Sequence, residues 1–215
     1  MSKTRTMATP HGDARLEVHR AAEPVATVLL THGAGGGIDA RDLQALAAEL
    51  PRLGVTVELL EMPWRVAGKR LAPRPAVLDE CFLAVASALR PRTPRVVGGR
   101  SAGARAAARC ADALHADGLL ALAFPLHPPG KPERSRLAEL EAPDMPTLVV
   151  QGERDAFGRP EEFPEDVDLT VVPLADHGFK VPKRGEVSQE DALGIIVEAT
   201  LEWVVREIVG NRTEH

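Results

Sequence analysis

Two short apolar runs that each break straight into glycine constrain this chain more than any other feature. Residues 26–31 (ATVLLT) lead into Gly33-Ala34-Gly35-Gly36-Gly37, and residues 95–98 (RVVG) lead into Gly99-Arg100-Ser101-Ala102-Gly103. A brief run without polar alternation reads as a strand covered on both faces, and such strands belong to parallel sheets sandwiched between helices. The intervening stretches supply the helices. Residues 39–53 place Leu43, Leu46, Ala47 and Leu50 at helical spacing, with Asp39 as N-cap and Gly54 as the stop, and 55–60 (VTVELL) is the next strand. Further helices are predicted at 75–89, 102–115 and 188–209, the last opened by a Ser188/Asp191 capping-box spacing. Further strands are predicted at 118–124, 147–150 and 169–172, and 15–20 alternates as an edge strand would. The predicted fold class is α/β, a mostly parallel sheet with helices on both faces, forming one domain over residues 1–215 with its core at about 15–209. In such sheets ligands sit in loops at the carboxyl ends of the strands, where both glycine clusters fall.

Composition closes off other functions. Aromatic residues are 3% of the 215, with no Tyr, and 26 Lys+Arg against 31 Asp+Glu leave a net charge of −5. That balance offers neither a base-stacking platform nor a basic footprint, so no nucleic-acid partner is expected. No apolar run approaches the roughly 18 residues of a membrane span, and residues 1–10 lack the apolar core of a signal peptide. A cytoplasmic protein with no membrane partner is the expectation. Cys81 and Cys110 have no CxxC partner or paired His, which predicts reduced, buried thiols, no metal and no cofactor.

The second glycine cluster is a GxSxG sequence between a strand and a helix, the setting in which that pattern forms a nucleophile elbow. Serine at the tip of so strained a turn needs neighbours two before and two after that carry almost no side chain. Its hydroxyl is a weak nucleophile near neutral pH and requires a base oriented by a third group. Of the seven His, His11, His19 and His215 lie near the ends or on the edge strand, and His115 ends a helix, which leaves His32, His127 and His177. Only His177, in Ala175-Asp176-His177-Gly178-Phe179 past the 169–172 strand, fits as the base. Asp155, in Gly152-Glu153-Arg154-Asp155 past 147–150, is the leading acid, with Asp176 and Glu153 as rivals. The order Ser, Asp, His is the one α/β-hydrolases use. An oxyanion hole requires backbone N–H groups aimed at the developing charge, and the predicted donors are Ala34 in the first glycine cluster and Ala102 after the serine. That cluster has neither the GxGxxG register nor the GxxxxGK[ST] lysine, which argues against a nucleotide loop. His32 is read as a brace for it. Trp64 falls at the pocket rim or in a satellite core, and His32, Gly33, Gly35, Arg100 and His127 complete the candidate pocket.

Together the THGAGGG, GGRSAG, QGERD and ADHGF segments resemble the α/β-hydrolase superfamily, from about residue 15 to 209. The FPLHPPGK and GFK segments resemble more narrowly its small cap-less, dienelactone-hydrolase-like branch, including bacterial relatives of testis-expressed-30-type proteins. The resemblance implies Ser101 as nucleophile, Asp155 as orienting acid and His177 as base, although dienelactone hydrolases themselves carry Cys at the nucleophile. About 22 residues separate Phe124 from Thr147, too few for a helical cap, so an open, shallow site is expected. The leading reading is a serine hydrolase cleaving a small soluble ester, thioester or related carbonyl compound through an acyl-enzyme. The competing reading is a non-catalytic binding or scaffold protein on the same fold.

Overall fold

A computed structural model of the chain describes residues 2–210; His215 lies outside the described residues. In chain order the strands are β1 (Lys3–Thr9), β2 (Gly12–His19), β3 (Ala26–Thr31), β4 (Val55–Glu61), β5 (Arg95–Arg100), β6 (Gly118–Leu122), β7 (Thr147–Gly152) and β8 (Asp168–Val172). The helices are α1 (Arg41–Glu49), α2 (Pro63–Val66), α3 (Pro75–Ala88), α4 (Ala102–Cys110), α5 (Leu137–Glu141) and α6 (Gln189–Trp203). The strands form one sheet in the order β1-β2-β4-β3-β5-β6-β7-β8. From β4 to β8 every pairing is parallel, and β2 joins β4 antiparallel, with the β1–β2 hairpin at that edge.

Strand order explains where a site can form. The chain runs from β3 outward to β4 and then crosses back to lay β5 on the other side of β3, so the connections leave β3 and β5 in opposite directions. That reversal opens a crevice at their carboxyl ends. Both glycine clusters lie there.

Successive residues of a strand face opposite sides, and β3 uses every one of them. Val28 and Leu30 pack with Leu43 and Leu46 of α1 and Ile196 and Trp203 of α6. Leu29 packs on the other face with Phe82 and Val85 of α3 and Ala104 and Ala107 of α4. The alanines of α4 let it lie close to the sheet. Its outer face is tied down by ion pairs: Arg109 meets Asp79 of α3 at 2.7 Å and Glu139 of α5 at 2.6 Å, and Arg105 meets the same Glu139.

Several elements and boundaries differ from the sequence expectation. β1 was not foreseen, because residues 3–9 are almost wholly exposed and carry no apolar face that periodicity could register. The N-cap of α1 is Ala40 rather than Asp39, and α4 ends at Cys110, with the chain turning before His115, which has φ +47°. Residues 188–209 start as read: Ser188 Oγ accepts from Asp191 N and Asp191 Oδ2 accepts from Ser188 N. The helix then widens to π-type turns over Val204–Val209. Between β6 and β7 stand only one short 3₁₀ turn (Pro132–Arg134) and α5, so no lid covers the crevice. No helix among the described residues is long and apolar enough to cross a membrane.

Candidate active site

β5 ends at Arg100, and the next residue, Ser101, takes φ +54°, ψ −115° before α4 begins. A non-glycine residue in that region costs on the order of 1–3 kcal/mol and persists only where its surroundings hold it. Ser101 N donates to Leu122 O at 2.9 Å, and the two glycines allow the rest. A Cβ at Gly99 would stand 2.6 Å from Thr31 O, and one at Gly103 would stand 2.7 Å from both Thr31 O and His32 O. The glycines are therefore set by how closely the elbow presses on the end of β3.

The loop after β8 brings His177 to this serine. His177 Nε2 is 2.8 Å from Ser101 Oγ, and His177 Nδ1 is 2.7 Å from Asp155 Oδ2. An ionised carboxylate only accepts hydrogen bonds, so Nδ1–H donates to Asp155 and Nε2 is left to accept the Ser101 hydroxyl proton. Asp155 is fully buried; its Oδ1 accepts from Phe157 N at 2.8 Å and its Oδ2 also accepts from Gln151 Nε2 at 3.0 Å. The Phe157 ring lies against His177 at 4.2 Å between centroids. The rival acids are engaged elsewhere. Asp176 Oδ1 accepts from Gly178 N and Lys180 N, closing the turn that presents His177, and Glu153 Oε2 accepts from Leu174 N.

The glycine-rich loop after β3 lies against Ser101: a Cβ at Gly33 would be 3.3 Å from Ser101 Cβ, whereas Gly35 faces open space. Ala102 N belongs to the first turn of α4, where backbone donors have no intrahelical acceptor. Neither Ala34 N nor Ala102 N donates to a protein acceptor among the described residues. His32 anchors the loop from below. Its Nδ1–H donates to Gly33 O at 2.9 Å, its Nε2 accepts from Met62 N at 3.0 Å, and burial pushes its pKa down to about 4, so the ring is neutral.

The alpha/beta hydrolase domain family matches residues 24–205. The chain belongs to the alpha/beta hydrolase family. Its structural relatives include an alpha/beta serine hydrolase without lid from Xanthomonas campestris (22% identity, TM-score 0.71, 94% of each chain covered). A dienelactone hydrolase from Anabaena variabilis aligns at 16% identity and TM-score 0.73, over 97% of this chain and 98% of that one. Est1E from Butyrivibrio proteoclasticus, in its complex with ferulic acid, aligns at 17% identity and TM-score 0.72, over 94% and 99%. At these identities the likeness concerns the fold. A comparison with curated proteins finds no match.

Other pocket candidates of this alpha/beta hydrolase take different places. Trp64 is 6% exposed, packs edge-on against His32 and joins the core, so it belongs under the glycine loop rather than on a rim. His127 is also buried; its ring bonds Pro128 O and Glu162 Oε2, which ties residues 127 and 162 together. Arg100 is half-buried and donates to the backbone carbonyl of His177 at 2.7 Å. Two supporting residues escaped sequence reasoning. Gln151 is a polar side chain near the end of the apolar strand β7, a signal that could have been read; Phe157 carries none. Among the described residues no group of three or more His, Cys, Asp or Glu could hold a metal ion. Surface cavities of about 600, 520 and 330 Å³ are lined by segments that include neither Ser101 nor His177.

Proposed function

We propose that this alpha/beta hydrolase is a serine hydrolase that cleaves a small soluble ester, thioester or related carbonyl substrate through an acyl-enzyme. The observation that carries the proposal is the unbroken hydrogen-bonded chain from buried Asp155 through His177 to Ser101, on an elbow strained toward the crevice. As Ser101 Oγ attacks the carbonyl carbon, His177 Nε2 takes its proton, and the buried Asp155 carboxylate stabilises the imidazolium. The Ala34 and Ala102 amides hold the tetrahedral oxyanion. Collapse expels the leaving group, which receives the proton from His177 Nε2–H. Water then attacks the acyl-enzyme, giving its proton to His177, and Ser101 is released with the acid product.

Substrate size follows from the open crevice. Without a lid, a long acyl chain finds no enclosed wall to bury it, so short acyl groups should turn over best. Free, buried Cys81 and Cys110 accord with work in a reducing, cytoplasmic compartment. The FPLHPPGK and GFK segments favour the branch that includes bacterial relatives of testis-expressed-30-type proteins. A p-nitrophenyl ester series tests it. Acetate and butyrate should be hydrolysed with higher kcat/KM than decanoate, and His177→Ala should abolish turnover. Equal activity of wild type and His177→Ala would sink the mechanism.

A further inference from the structure

We propose that Arg100, anchored by the buried carboxylate of Asp42, is a positioning residue that holds the His177 loop and the glycine-rich loop in register with Ser101. Its guanidinium touches three segments at once. Nη2 donates to the His177 carbonyl at 2.7 Å and lies 3.6 Å from where a Gly178 Cβ would stand; Nη1 lies 3.6 Å from where a Gly33 Cβ would stand; Nε is 3.5 Å from Asp42 Oδ2 at the start of α1. Those segments carry the base, the Ala34 amide and a helix of the sheet's other layer. Arg100 itself adjoins the nucleophile in sequence.

Asp42 is a buried carboxylate that the proposed chemistry does not use. It is fully buried, and burial raises its carboxyl above the usual range while Arg100 and the backbone amides at the start of α1 oppose that rise. A buried ion pair of this kind is a poor source of stability, since apolar replacements are often neutral or better. Its place at the junction of the base loop and the glycine-rich loop accounts for it as a geometric device. A charge-assisted bond to a backbone carbonyl fixes position more firmly than a neutral one. The guanidinium fork can serve the carboxylate and the carbonyl together, as an ammonium cannot.

This inference rests on the serine-hydrolase reading, and one set of measurements separates their failures. The rate of Ser101 phosphonylation by a fluorophosphonate, kcat and KM on p-nitrophenyl acetate, and Tm are compared for wild type, Arg100→Lys and the double variant Asp42→Asn/Arg100→Met. The double variant leaves no lone buried charge. It is expected to keep Tm within a few degrees while the phosphonylation rate and kcat fall about 10- to 100-fold, the scale of an ångström-sized displacement of a reacting group, with KM changed less than about threefold. Arg100→Lys should fall between the two. A double variant that reacts at the wild-type rate overturns the inference and leaves the hydrolase reading standing. Should that variant fail to fold, Arg100→Lys at the full wild-type rate overturns it equally. A wild type unlabelled at Ser101 removes both.

Discussion

Acid should weaken this protein through His32, a residue outside the proposed catalytic set. The imidazole is 1% exposed, gives its Nδ1–H to Gly33 O and takes the Met62 N–H at Nε2. Protonation would turn Nε2 into a donor facing another donor, inside a site closed to water. Burial accordingly lowers the pKa from 6.5 to about 4. Between those values the unfolded chain binds the proton and the folded chain does not, so stability falls as pH falls through this window. At about 1.36 kcal/mol per pH unit, the loss relative to neutral pH is about 2 kcal/mol at pH 5 and about 3 kcal/mol at pH 4. Urea denaturation at pH 7.5 and pH 5 measures it, with His32→Gln as the reference: its Oε1 can accept the Met62 N–H and it does not titrate. Subtracting the variant's own pH dependence removes contributions from other groups. Wild type should lose about 2 kcal/mol more than His32→Gln over that interval. Equal losses, or a gain in wild type, would refute the claim that this ring is held neutral by burial.

Three further outcomes follow from the same geometry. Asp155→Asn, which keeps the shape of the acid but not its charge, should lower kcat on p-nitrophenyl acetate by about 10⁴-fold with little change in Tm. Gly99→Ala places a Cβ 2.6 Å from Thr31 O and 2.8 Å from the Gly103 carbonyl carbon, and should cost about 2–3 kcal/mol in urea unfolding because two pieces of backbone must move. Burial raises the Cys81 thiol and pushes Cys110 up to about 12, so Ellman's reagent at pH 8 should find both unreactive in the folded protein and both reactive in denaturant.

What the sequence reveals here depends on whether a constraint is local. Ser101 is legible because its turn demands Gly99 and Gly103 at fixed offsets, and His177 and Asp155 because each follows a run that reads as a buried strand. The sequence ranks Asp155 above Asp176, which adjoins His177, and the fold adds the physical reason: Asp176 is spent on its own turn. The parallel sheet was readable from its solid apolar runs, whereas β1 was hidden by lacking any buried face. Trp64 and His127 illustrate the opposite limit. Their types suit a pocket, but Trp64 is drawn into the core by the β4–α2 turn and His127 is held by Glu162, 35 residues away. The Asp42–Arg100 pair joins positions 58 residues apart, and no periodicity marks it.

The central claim is that Ser101 is an activated nucleophile, and covalent labelling reads that property directly. Wild type and the Ser101→Ala and His177→Ala variants are incubated with a fluorophosphonate at neutral pH, followed by intact-mass measurement and peptide mapping. One stoichiometric adduct on Ser101 of the wild type, absent from both variants, is the predicted result. A folded wild type that takes up no label, or takes it at another residue, would contradict the account and favour a non-catalytic binding protein on the same fold.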